Sequence, residues 1–190
     1  MGILKGGINE VIATTRHNAA PMGIHVRNGK TTVILFKGSH TAANVQKDGW
    51  IVANFIHDPV LYVRTAFDDL PGEMFIDEPV GDTTMQRLKG ADAWAAFTVT
   101  IDHETPEAIV GVLTLRKELI REPLIHPVNR GFGSLIDATV HATRYQKTRD
   151  AHLKDLIEYH AGIIRKCGGK QELAALALLL GYIAENPERS

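Results

Sequence analysis

The sequence predicts an α+β chain that is mainly β: a small β-barrel-like domain over residues 1–125, then a helical subdomain over 126–190. Three observations predict it. β-branched and aromatic runs separated by turn residues fill the first two thirds of the chain. Asn28-Gly29 stands between two apolar-rich runs, a hairpin signal because a type I′ turn needs positive φ twice. From Gly131 onward the apolar spacing changes to i, i+3, i+4, the period of a helix. With 190 residues, 44% of them hydrophobic and 23% charged, the chain is long enough to bury a core without disulfide or metal staples.

The elements follow in order. Ile8 to Arg16 reads as a strand, Met22 to Arg27 as a second and Lys30 to Lys37 as a third. Ser39 to Asp48 suits a short helix with a hydroxyl cap, stopped by Gly49. Trp50 to Ile56 returns to strand. Asp58-Pro59 is a helix start, with Asp as N-cap and Pro at the first helical position, and Val60 to Phe67 continues it. Asp68 to Asp82 holds six acidic residues and no basic one, with two prolines and two glycines, and reads as an irregular surface loop. Trp94 to Ile101 and Ile109 to Arg116 read as a pair of strands, with Ala93, Ala95, Phe97, Val99 and Ile101 on one face. Leu135, Ile136, Thr139, Val140 and Thr143 form one helical stripe. Leu153, Leu156, Ile157, His160, Ile163 and Ile164 form a second, which Gly168-Gly169 ends. Leu173 to Ile183, apolar nearly all round, reads as a buried helix.

Charge and composition exclude several function classes. Twenty-one basic against 22 acidic residues leave a net charge of −1. The balance is +8 and −7 from Gly131 onward and +13 and −15 before it, so neither part is a basic arm. That argues against nucleic acid or an anionic membrane as partner. A single cysteine, Cys167, allows no internal disulfide. The first ten residues do not read as a secretory signal, and Leu173 to Leu180 is about half the length of a membrane span. A soluble cytoplasmic protein is expected. The histidines show no metal-ligand spacing, so no metal is expected.

Three segments could carry chemistry. In Lys37-Gly38-Ser39-His40-Thr41-Ala42-Ala43-Asn44 a strand ends, glycine turns the backbone and a helix begins. Free N–H groups, two hydroxyls and a lysine there make a phosphate cradle; the same residues also suit an ordinary helix cap beside a surface lysine. His17-Asn18-Ala19-Ala20-Pro21-Met22-Gly23 reads as a loop of small residues that lets a flat ring approach the backbone, or as a loop with no ligand. His126 to Gly133 joins the two expected domains, and its Arg130 suits pairing with a phosphate or a carboxylate, or a structural role between the domains. No Gly-x-Ser-x-Gly elbow, P-loop or dinucleotide fingerprint is present, and the residues name no catalytic acid or base.

Taken in order, Ile8-Asn-Glu-Val-Ile-Ala-Thr-Thr, Ala20-Pro-Met-Gly, Ser39-His-Thr-Ala-Ala-Asn-Val and Ile51-Val-Ala-Asn-Phe resemble the FMN-binding split β-barrel superfamily of flavin reductase-like proteins. Asn129-Arg-Gly and Ile136-Asp-Ala-Thr-Val-His-Ala-Thr-Arg are similar to one branch, domain-of-unknown-function family 447, across nearly the whole chain. The resemblance implies a homodimer and bound FMN. It implies that Ser39, Thr41 and Asn44 hold the phosphate region, with Lys37 and Gly38 beside them. Asn18, Ala20, Pro21 and Met22 would line the isoalloxazine ring, and Asn129 and Arg130 would contribute from the helical junction. It also implies an oxidoreductase acting on NAD(P)H or a pterin-like ring, the alternatives being a flavin module without turnover and a structural dimer.

Overall fold

The structure, a computed structural model, describes residues 2–121 and 126–184. The elements are β1 (Gly7–Thr15), β2 (Asn18–Arg27), β3 (Lys30–Phe36), α1 (His40–Asp48), β4 (Trp50–Phe55), α2 (Pro59–Phe67), β5 (Phe75–Val80), β6 (Thr83–Leu88), β7 (Ala93–Glu104), β8 (Ala108–Ile120), α3 (Arg130–Thr148), α4 (Ala151–Cys167) and α5 (Lys170–Ala184). These residues fall into two compact units, 2–56 with 69–121 and 57–68 with 126–184. A single expected boundary at 125/126 leaves α2 with the barrel, whereas its packing is with α3 and α5.

In the first unit six strands close into a barrel in the order β1-β2-β3-β8-β7-β4, every neighbouring pair antiparallel. The Asn28-Gly29 turn forms as its residues demand, with φ of 51° and 76°. Ile24, Val33, Leu35, Ile51, Phe97 and Ile109 fill the interior. Burial of each large side chain contributes on the order of 1.5–3 kcal/mol. α1 adds Ala42 and Val45 to that core. Its boundaries are those the residues dictate: the Ser39 hydroxyl accepts the Ala42 N–H, and Gly49 at φ 70° donates its N–H to the Val45 carbonyl.

The acidic segment is not an irregular loop. After a 3-10 turn at Gly72–Met74 it forms β5, which Gly81 (φ 58°) joins to β6 as a two-stranded hairpin. Exposed Asp77 and Asp82 disguise alternate residues that turn inward. Val80 and Met85 pack on Trp50, Val52, Trp94 and Ala96. This cover explains why β7 buries both faces over Trp94–Phe97 rather than alternating. Glu78 locks the hairpin, accepting from Lys117 Nζ at 2.7 Å and Arg87 Nε at 3.0 Å, with both cations over the Trp94 ring. Burial alone would raise the Glu78 carboxyl, but the hydrogen bonds from Lys117 and Arg87 outweigh it and hold the group below its usual range.

In the second unit Val63, Leu135, Ala138, Ala142, Ile157, Ala161, Ile164, Ala175, Leu176 and Leu179 form one core. The buried stripe of α3 is Gly131, Ser134, Leu135, Ala138, Thr139 and Ala142. The expected stripe is rotated, because small residues rather than the largest ones admit the neighbouring helix, and Val140 is exposed. Likewise α5 is buried on one side, through Glu172, Ala175, Leu176 and Leu179, while Leu173, Ala174 and Ala177 are exposed. Backbones meet where α3 starts: a Cβ on Gly131 would lie 2.6 Å from the Gly168 Cα, and one on Gly168 would lie 2.7 Å from the Ile164 carbonyl. No helix among the described residues is long and apolar enough to cross a membrane.

Candidate functional site

The end of β3 and the start of α1 make the central feature. Gly38 adopts φ 82°, a conformation that L side chains rarely take, and so turns the chain between Lys37 and Ser39. The Ser39 hydroxyl donates to the Phe36 carbonyl at 2.7 Å while it accepts from Ala42. The N–H groups of His40 and Thr41, first in the helix, have no carbonyl one turn back, and the helix dipole adds partial positive charge there. Thr41 is buried, and its hydroxyl accepts from Asn18 Nδ2 at 2.9 Å. Asn44, on the next turn, donates to the Thr15 hydroxyl and the Arg16 carbonyl, both at 3.0 Å. Asn18, Thr41 and Asn44, distant in sequence, thus meet around Thr15 in one polar cluster. Lys37 Nζ is paired with Glu104 at 2.8 Å.

The expected loop over His17–Gly23 is instead the first half of β2. The reversal takes only Arg16 and His17, and Asn18 already pairs with Thr15. Strand alternation divides the four expected ring-lining residues. Asn18, Ala20 and Met22 share the interior face with Ile24, and Pro21 points to the other side with Ala19 and Gly23.

Sequence reasoning missed the supports of this turn. Arg16 makes two bonds to Asp48, at 2.9 and 3.1 Å, which ties the turn to the last turn of α1. The His17 N–H donates to Gln86 Oε1 at 2.7 Å, and Gln86 Nε2 donates to Asp77 at 2.9 Å. Thr14 donates to the Gln86 carbonyl. Fully buried Asn54 donates to the Ile12 carbonyl and Thr14 hydroxyl and accepts the Leu88 N–H at 2.7 Å. The signal in the sequence was polar residues, Thr14 and Asn54, inside otherwise apolar strands.

Asn129 and Arg130 lie in the second unit. Asn129 caps α3 by accepting the Gly131 N–H at 2.7 Å, and its Nδ2 donates to Glu172 at 3.0 Å, so both polar ends are engaged there. The other Glu172 oxygen accepts the Gly169 N–H. Arg130 is exposed and has no carboxylate partner among the described residues. On the same unit the His141 and His160 rings stack at 5.6 Å, each with a buried Nδ1 lacking a hydrogen bond. Burial first, then the neighbouring His160, push the His141 imidazole below its usual value.

A family described as "Protein of unknown function (DUF447)" matches the chain in two parts: its N-terminal domain over residues 9–122 and its remaining part over 129–181. The chain belongs to the DUF447 family. Over 193 residues the DUF447 chain is 23% identical to an uncharacterized protein of Methanocaldococcus jannaschii, covering 91% of this chain and 96% of that one. It is 37% identical to an FMN-bound DUF447 protein from Methanosarcina mazei whose crystal structure superposes with a TM-score of 0.89, over 93% of this chain and 95% of the other. An FMN-binding protein from Thermus thermophilus, crystallised with 1-cyclohex-2-enone, shares the fold at a TM-score of 0.50 and 16% identity, over 63% of the DUF447 chain and 77% of its own. The α+β class read from the sequence, a β-barrel with C-terminal helices, is the fold observed.

Proposed function

We propose that this protein is an FMN-binding flavoprotein and an oxidoreductase of the flavin reductase-like type. The observation that carries the reading is the α1 start. There, N–H donors without helical partners adjoin an Asn18–Thr41–Asn44 cluster whose Asn18 and Thr41 are buried, in a chain 37% identical to an FMN-bound relative. A phosphate monoester fits this donor set, because the His40 and Thr41 N–H groups and the adjoining hydroxyls can all donate to its oxygens. When bound, FMN supplies hydride chemistry, and the protein supplies binding and orientation.

Each residue has a part in that reading. Gly38 and Ser39 set the turn that aims the helix N–H groups. Thr41 and Asn44 hold the phosphate region, and Asn18 fixes Thr41. Lys37 adds charge once it exchanges Glu104 for the ligand. The β2 backbone and Pro21 present a face to the ring, while Ala20 and Met22 support that strand from inside. Asn129 keeps the start of α3 in place, and Arg130 offers an exposed guanidinium with no carboxylate partner among the described residues. The exposed apolar residues Ile8, Ile34 and Phe36 on the barrel surface suit burial against a second copy, as a homodimer. The substrate class is a reduced nicotinamide or a pterin-like ring, and the near-neutral charge and single cysteine suit the cytoplasm.

Adding FMN to the purified chain should quench flavin fluorescence and give a bound band near 450 nm, an expectation from flavin chemistry. Ser39→Ala with Thr41→Ala should weaken FMN by roughly 2–4 kcal/mol, the loss of two bonds near a charged group. Unchanged occupancy in that double variant overturns the cradle. Bleaching of the bound flavin by NAD(P)H supports an enzyme; retained colour favours a flavin module without turnover.

A further inference from the structure

β2 is entered and left by two turns of opposite character. Asn28-Gly29 has positive φ at both positions, 51° and 76°, as a self-supporting hairpin turn requires. In Arg16-His17 only the second residue is positive, His17 at 51°, so the turn is neither of the two types that match the twist of paired strands. His17 must also seat a Cβ in that left-handed conformation, which glycine would adopt freely. Such a cost persists only where the surroundings over-determine it.

Here the surroundings are two other elements of the barrel unit. From the β5–β6 hairpin, Gln86 Oε1 accepts the His17 N–H at 2.7 Å, and Gln86 Nε2 donates to Asp77 at 2.9 Å, which fixes the orientation of the amide. From α1, Asn44 donates to the Arg16 carbonyl at 3.0 Å, and Asp48 accepts from the Arg16 guanidinium at 2.9 and 3.1 Å. The residue directly after the strained one is Asn18, whose Nδ2 donates to the buried Thr41 hydroxyl at 2.9 Å. The bond from the hairpin thus reaches Thr41 through a single peptide unit.

We propose that Gln86 is a positioning residue for flavin binding: by holding the His17 backbone, the β5–β6 hairpin fixes Asn18 on Thr41 and so sets the affinity for the phosphate end of FMN. This rests on the FMN reading and adds to it an element that acts through the turn. FMN and riboflavin, each titrated into the full chain by fluorescence quenching, test it in three variants. Gln86→Ala removes the support and should weaken FMN about fivefold, with riboflavin affinity nearly unchanged. His17→Gly takes the same φ without cost and should bind FMN as the parent does. With Gln86→Ala and His17→Gly together the turn no longer needs its support, and FMN affinity should return to within about twofold of the parent. A packing defect left by Gln86→Ala would not be cured by removing a second side chain, so the rescue separates positioning from stability. A Gln86→Ala loss below about twofold, an equal loss for riboflavin, or a double variant no tighter than Gln86→Ala overturns the inference while FMN binding stands. A parent chain that takes up no FMN overturns both.

Discussion

The two units solve the same problem by different chemistry. In the barrel, polar side chains inside the layers do the joining: Asn54 and Thr14 link β1, β4 and β6, and Glu78 ties the hairpin to β8. In the helical unit, the contact is made by what is missing. Gly131 and Gly168 touch through their backbones, and Ala138, Ala142 and Ala161 leave room for neighbouring helices. A hydrogen-bonded joint tolerates small shifts but not an orphaned partner. A glycine joint has no orphan to create and no tolerance of bulk. The first kind suits a unit that must hold a polar site open, and the second one that needs only to be rigid.

The largest expected effect breaks the glycine joint. Gly131→Ala places a methyl 2.6 Å from backbone that cannot rotate away, and should cost about 3 kcal/mol. Chemical denaturation followed at the helices measures it; an unchanged midpoint would mean the helices are not packed as described. Asn54→Ala comes next. It strands the buried Leu88 N–H and should cost about 2 kcal/mol in the barrel, read by the same method with Trp50 and Trp94 fluorescence.

Acid sharpens the contrast. The His141 imidazole is held below its ordinary value, so the folded helices take up its proton less readily than the unfolded chain does. Its contribution is therefore complete above the unfolded value and is lost as pH falls through the lower folded one. Stability of the helices should decline below about pH 6.5, the unfolded imidazole value, and His141→Gln should flatten that decline. A parallel decline in the variant would move the cause elsewhere. The smallest effect tests the rotated stripe: Val140→Lys, exposed, should stay within about 0.5 kcal/mol.

What the sequence made legible was what a few adjacent residues decide. Asn28-Gly29, the Ser39 and Asp58 caps and the Gly49 stop each act within four residues, and each forms as read. Illegible features depend on what lies across the fold. The acidic residues of β5 and its turn to β6 look like a loop until Trp94 and Trp50 supply a surface for Val80 and Met85. The α3 stripe is chosen by the close approach of α4, which apolar periodicity does not encode. For the site, the residues of the Lys37–Asn44 segment were visible as a strand-to-helix turn. The partners Thr15, Arg16 and Gln86 were not, because nothing local marks a threonine or glutamine as the far end of a long-range bond. Asn129 was visible only as a candidate ligand residue, and its bonds to Gly131 and Glu172 give it a cap and brace to provide.

A closed ring of strands is only as closed as its pairing. β4 returns to β1 over Ile12–Thr14 alone and β3 meets β8 over Ala108–Val112 alone, so among the described residues Gly7–Val11 of β1, the 113–120 stretch of β8 and the two-stranded β5–β6 ribbon each have an edge with no strand partner. Along the ribbon Pro79 has no amide hydrogen to give, and Asp77 and Asp82 add repulsion between like chains. At high concentration, that ribbon would be the least hospitable of these borders to strand addition.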